Sequence, residues 1–236
     1  MKLTVRQKKL VPYYNMKVPK GKGPFPAVLL VSGCSGFHWN LVEKYYIKVA
    51  EALLYKRFAV LFVDYLKSRK IDSCFSGVSQ QEIAKDILST IQFISKMPKI
   101  DKSKIIVIGW SYGAGAVLEA LNRDHVNKIL ISKAICYYPA IFGITVKHVK
   151  SPILVLYGDS DNVASYKRYK KYINRLPDKS LIIEKIFKNA LHAFDMKGLP
   201  AKLTHRTGGH VGYNKSAADK SWKIISSFLN INKKSK

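Results

Sequence analysis

The chain has 236 residues, 47% of them hydrophobic, which is ample for one sizeable core. Its 41 Lys and Arg against 15 Asp and Glu leave a formal net charge of +26, a balance that attracts polyanions such as nucleic acid or an anionic membrane surface without specifying any of them. No stretch nears the roughly 18 apolar residues of a membrane span, and the opening MKLTVRQKKL lacks an apolar run of signal-peptide length, so a membrane-spanning role is excluded and a cytoplasmic location is expected.

In chain order, residues 1–10 are expected to be a loose end, and Val11 to Val18 a short strand or hairpin arm at a sheet edge. Apolar strands are then predicted at about 27–32, 58–63, 104–110, 130–138, 152–157 and 181–187, alternating with helices at about 41–56, 79–97, 112–123, 164–175 and 214–229. Lys233 to Lys236 is expected to fray. The alternation predicts an α/β fold, with one domain over 1–236 and a mostly parallel sheet covered by helices on both faces. Few residues separate Tyr138 from Pro152, where related architectures insert a helical cap, so no cap domain is expected.

The strand at 104–110 ends in Gly109-Trp110-Ser111-Tyr112-Gly113 and runs directly into an amphipathic helix with Ala114, Ala116, Val117, Ala120 and Leu121 at helical spacing. Glycines at 109 and 113 relieve a strand-to-helix turn too tight for side chains there, holding Oγ of Ser111 proud of the sheet as a nucleophile elbow. A hydroxyl needs a base to take its proton and a carboxylate to orient that base. In α/β-hydrolases these follow in the order acid, then histidine, each after a later strand. The strand at 152–157 ends in Gly158-Asp159-Ser160-Asp161-Asn162, and the one at 181–187 leads into Lys188-Asn189-Ala190-Leu191-His192-Ala193-Phe194. Asp161 is the expected acid and His192 the expected base, with Asp159 read as closing the turn and His210 as the rival base. His125, His148 and His205 read as surface or loop residues.

The chain resembles the dienelactone hydrolase family of α/β-hydrolases over nearly its whole length. The likeness is carried by KGKGPFPAVLLV at Lys20 to Val31, by Ser32-Gly33-Cys34-Ser35-Gly36-Phe37, which looks like the loop often written H-G-C-G-G-L, and by Val63 to Arg69, similar to a V-D-S-F-x-x-R pattern. The three triad segments and the closing SWKIISSFL add to it. Two departures stand out. Founding members use a cysteine nucleophile where this chain has Ser111, and the glutamate that partners that cysteine has no counterpart between Ser32 and Trp39.

The resemblance implies an oxyanion hole made by the backbone N–H groups of Cys34 and Tyr112. Phe37, His38, Trp39, Trp110 and Phe194 are expected to wall a shallow pocket. Arg69, after the strand at 58–63, is the expected anchor for an acidic group on the substrate. Cys34, Cys74 and Cys136 are scattered and form no C-x-x-C, which reads as a reducing compartment or indifference to redox state, with no metal site. The resulting expectation is a serine hydrolase acting on small, possibly anionic, carboxylic esters or lactones through an acyl-enzyme, with no cofactor. The alternatives are a peptidase or amidase on the same triad and a catalytically silent polyanion-binding protein on a hydrolase scaffold.

Overall fold

A computed structural model describes residues 2–127, 131–144 and 148–231. The expected fraying of Lys233 to Lys236 falls outside them, as do the side chains of 124–127. Seven strands form one sheet: β1 (Asn15–Lys17), β2 (Phe25–Val31), β3 (Ala59–Phe62), β4 (Ile100–Trp110), β5 (Ile131–Tyr137), β6 (Ile153–Gly158) and β7 (Ile182–Phe187). Their spatial order is β1-β3-β2-β4-β5-β6-β7, with β1 alone antiparallel to its neighbour. β3 and β6 are buried at every position, and β2 at all but Pro26. Strands covered on both faces read as continuous apolar runs rather than alternating ones.

The helices are α1 (Val5–Leu10), α2 (Glu43–Tyr55), α3 (Gln80–Ile94), α4 (Ser111–Asn127), α5 (Tyr166–Ile173) and α6 (Lys215–Phe228). Between β7 and α6 a small antiparallel hairpin, β8 (Leu203–Thr204) with β9 (His210–Val211), stands apart from the sheet. Residues 138–152, joining β5 to β6, contain no helix among those described.

Val5–Leu10 of the expected loose end form a helix. Thr4 accepts from the Gln7 amide while the Gln7 side chain accepts from the Thr4 amide, a capping box that starts α1. Arg6 then reaches α3, pairing with Glu82 at 2.8 Å and with buried Asp86, and Gln7, itself buried, donates to the Ser89 carbonyl. The Lys85 and Arg6 partners hold the Glu82 carboxyl down at about 2. Capping and long-range ion pairing, rather than apolar periodicity, dock this segment.

The loops after β2, β4, β6 and β7 all leave the carboxyl edge of parallel strands, where ligands bind in open α/β sheets. Parallel pairing of β2 with β4, β4 with β5, β5 with β6 and β6 with β7 therefore gathers Ser32 to Gly36, Ser111, Asp159 to Asn162 and Lys188 to Phe194 at one edge.

Candidate active site

Ser111 sits at the β4–α4 junction with φ of 50°, in the left-handed region that non-glycine residues seldom occupy. The flanking glycines are required by close approach. A Cβ at Gly109 would lie 2.8 Å from the Ala114 Cα, and one at Gly113 would lie 2.1 Å from the Ser32 carbonyl oxygen. The turn is tight because α4 begins against the end of β2, and that contact brings the loop after β2 beside Ser111.

His192 Nε2 lies 2.9 Å from Ser111 Oγ, and its Nδ1 lies 2.7 Å from Asp161 Oδ2. The His192 and Asp161 side chains are 5% and 0% exposed, so their hydrogen bond is shielded from solvent. The other oxygen of Asp161 accepts from the Val163 and Ala164 amides at 2.9 Å each. One carboxylate thus shapes its own turn and faces the imidazole. Asp159 does only the first of these, accepting from the Asn189 amide at 2.7 Å and from Ser160 Oγ. His210, the rival base, stands in β9 with its amide donating to Asn162 Oδ1, while the Gly212 amide of the same strand's end donates to the His192 carbonyl.

The loop after β2 is held from several sides. Tyr65 Oη donates to the Gly33 carbonyl at 2.7 Å, the Cys74 amide donates to the Cys34 carbonyl at 2.9 Å, and Cys34 and Cys74 are joined as a disulfide. The Cys34 amide has no acceptor among the described residues, and the Tyr112 amide lies in the first turn of α4, where no intrahelical acceptor exists. The disulfide corrects the reading of scattered, unpaired cysteines and removes that argument for a reducing compartment. Forty residues separate the pair, and nothing in their spacing announces it. Cys136 is free and buried, and burial pushes its thiol pKa up, away from nucleophilic chemistry.

Several residues expected to wall the pocket do otherwise. Trp110, 1% exposed, points away from the cleft, stacking on Tyr137 and donating Nε1–H to Asp195 at 2.9 Å. Phe194 is fully buried among Tyr137, Tyr138 and Phe187. Phe37 packs edge-on against Tyr46 and Phe62 and, like His38, lines a groove outside the triad cavity. His38 pairs with Asp64 at 2.9 Å and borders a groove of about 680 Å³ beside the triad. Only Trp39, among these, lines the cavity at the triad itself.

Arg69 is likewise no substrate anchor. It bonds to the Tyr65 carbonyl at 3.0 Å and to Asp86 at 2.6 Å, and the Asp86 side chain is 1% exposed. Arg69→Ala is therefore expected to lower stability by roughly 1–3 kcal/mol, because buried Asp86 would keep only Arg6 as a cationic partner. Urea unfolding midpoints measure that loss, and relative kcat/KM for acidic and neutral esters is expected to stay as in the parent.

Behind the site lies an acid that the sequence reading passed over. Asp195 is buried and accepts from Tyr45 Oη, from Tyr138 Oη at 2.7 Å and from Trp110 Nε1. Burial raises its pKa, and the three donors hold part of that rise back. The Tyr138 ring packs on His192 with centroids 4.4 Å apart, so this knot backs the face of the imidazole. Its only sequence signal is position, three residues beyond His192.

The cavity at the triad has a volume of about 60 Å³, bounded by the Gly33 to Gly36 loop, Trp39, Tyr46, Ser111, Tyr138, His192, Met196, His205 and Val211. The larger groove of about 680 Å³ shares Ser35, Gly36 and Trp39 with it but does not contain Ser111 or His192. The smaller space is therefore the one onto which Ser111 and His192 open. His205 and Val211 come from the β8–β9 hairpin, which no strand-like alternation foretold.

The dienelactone hydrolase family model matches residues 15–232. This chain belongs to the dienelactone hydrolase family. It is thereby a hydrolase of the class that acts on ester bonds. Among solved structures it is similar to a Klebsiella pneumoniae subsp. pneumoniae MGH 78578 protein assigned as a dienelactone hydrolase, at 15% identity and a TM-score of 0.70 over 92% of each chain. It is also similar to a dienelactone hydrolase-like promiscuous phosphotriesterase from metagenomic libraries, at 19% identity and a TM-score of 0.68 over 92% of this chain and 91% of that one. A Thermogutta terrifontis esterase, Est2, superposes with a TM-score of 0.63 at 15% identity, covering 92% and 86%. At these identities the likeness shows the α/β-hydrolase fold. No curated protein matches in sequence. No helix among the described residues of this family member is long and apolar enough to cross a membrane.

Proposed function

We propose that the protein hydrolyses carboxylic esters or lactones through an acyl-enzyme on Ser111. The observation that carries this reading is the continuous hydrogen-bonded chain from Asp161 through His192 to Ser111 on a strained elbow. His192 takes the proton of Ser111 as Oγ attacks the carbonyl. It later returns a proton to the leaving oxygen, and then activates water for deacylation. Asp161 keeps the Nδ1–H tautomer, so that Nε2 is free to accept. The Cys34 and Tyr112 amides are aimed, on this reading, at the oxygen that becomes negative in the tetrahedral intermediate.

The size of the cavity bears on the substrate. About 60 Å³ is far below the roughly 300–1,000 Å³ of a pocket for a drug-sized ligand, and suits an acyl group of a few heavy atoms. The net charge of +26 supports a faster encounter with anionic substrates at low salt, and weak, salt-sensitive association with polyanions, without any anchoring residue.

Labelling with a fluorophosphonate probe, followed by kinetics on p-nitrophenyl esters of rising chain length, tests the proposal. The probe is expected to modify Ser111, located by peptide mass, and kcat/KM is expected to fall by about tenfold from acetate to octanoate, since the extra methylenes exceed the cavity of about 60 Å³ at Ser111 itself. An anilide series run beside the esters decides the amidase alternative. Absence of labelling and of turnover on every ester would leave the silent polyanion-binding scaffold standing.

A further inference from the structure

The hairpin between the base loop and α6 is fastened over the site at three points, the first being the bridge from Val211 to His192 together with its Gly212 hydrogen bond. Val211 bridges to His192, and the Gly212 amide donates to the His192 carbonyl at 2.9 Å. The His210 amide donates to Asn162 Oδ1 at 2.7 Å, next to the catalytic acid's own turn. At the tip, the Arg206 guanidinium lies 4.1 Å from the Phe75 ring centre, and Phe75 adjoins Cys74 of the oxyanion-loop disulfide. The hairpin thus spans from the base loop to the tether of the oxyanion loop, and His205 on its inner side lines the triad cavity.

The protonation state of His205 follows from its partners. Its Nδ1 lies 3.3 Å from the Thr207 amide nitrogen and 2.7 Å from Thr207 Oγ1. A backbone N–H can only donate, so Nδ1 is an acceptor and the proton resides on Nε2. Partial burial lowers the His205 pKa, with His192 and Arg206 adding to that effect and Asp161 opposing it, so the ring is a neutral donor. Among the described residues Nε2 has no protein partner. His205 is half-buried and Nε2–H is open to solvent in the free protein, so a ligand that displaces water from this cleft must give it an acceptor in return.

Resting on the esterase reading above, we propose that His205 is a specificity-determining residue for the leaving group, donating Nε2–H to a second oxygen on the alcohol portion of the ester. The carbonyl oxygen already has the Cys34 and Tyr112 amides. The leaving oxygen must lie within reach of His192 Nε2, because that nitrogen protonates it. The hairpin is bonded to the backbone of His192, so its inward histidine meets the groups attached to that leaving oxygen.

The test compares n-butyl acetate with 2-methoxyethyl acetate, which differ by one methylene replaced by an ether oxygen, in the parent enzyme, His205→Phe and His205→Gln. The readout is the ratio of kcat/KM for the ether ester over the alkyl ester within each protein, so that any loss of active fraction cancels. The ratio is expected to fall about 3- to 10-fold in the Phe variant, the value of one neutral hydrogen bond, and to be largely kept in the Gln variant, which retains a donor. An unchanged ratio in the Phe variant overturns the inference, and an equal loss in both variants does so too by assigning the effect to ring shape. Turnover of neither ester by the parent enzyme overturns the esterase reading itself, and this inference with it.

Discussion

Ser111→Ala is expected to abolish fluorophosphonate labelling and to lower kcat for a short ester by about 10⁴ to 10⁶, leaving the residual catalysis that oxyanion donors and binding supply without a nucleophile. Stability should hardly move. The substitution keeps a Cβ on the same backbone, whose φ of 50° suits alanine no worse than serine, and removes a single bond to His192. The flanking glycines are left in place, so the contacts of the elbow with Ala114 and with the Ser32 carbonyl are untouched. Thermal unfolding of parent and variant separates lost chemistry from lost structure. A variant of parental stability that still turns over the ester at a comparable rate would move the nucleophile elsewhere.

Much of this framework is legible in the sequence, because the features that carry it are local. The central strands are buried on both faces, so they appear as unbroken apolar runs bounded by glycine and aspartate turns; β6, ending at Gly158, is an example. The elbow declares itself through two glycines whose missing Cβ atoms answer to neighbouring backbone. What the sequence does not declare is where a side chain points once the strand ends. Trp110 precedes Ser111, and for that reason faces the other way, into Tyr137 and Asp195. Arg69 does lie after the strand that ends at Phe62, yet its guanidinium turns back to Asp86 on α3, a partner 17 residues away.

The same limit applies to segments stabilised by distant groups. α1 is held by Arg6 reaching residues 76 and 80 positions away. The hairpin has two-residue strands in a polar stretch, too short for any alternation, and its turn includes Gly208 at a φ of 85°. A histidine at its tip reads as a surface residue until the fold carries it to the triad.

Asp161→Asn is expected to lower kcat about 10⁴-fold while leaving the fold intact, and the cause lies in the divided duties of this carboxylate. One oxygen accepts from the Val163 and Ala164 amides, and the other accepts from His192 Nδ1. An asparagine has one acceptor and one donor to place in those two positions. If its oxygen serves the two backbone amides, its NH₂ faces Nδ1, and the imidazole must turn Nδ1 into an acceptor and carry its proton on Nε2. That nitrogen could then no longer take the proton of Ser111. The opposite orientation would set NH₂ against two N–H donors at 2.9 Å, which is costlier still in a buried turn. Asp159→Asn serves as the control: its carboxylate also accepts from a backbone amide, that of Asn189, but faces no imidazole, so an amide oxygen can do its work and kcat should stay within about threefold of the parent. Steady-state kinetics on one short ester, with thermal unfolding of each variant, measures both. Equal and small losses in the two variants would remove Asp161 from the orienting role.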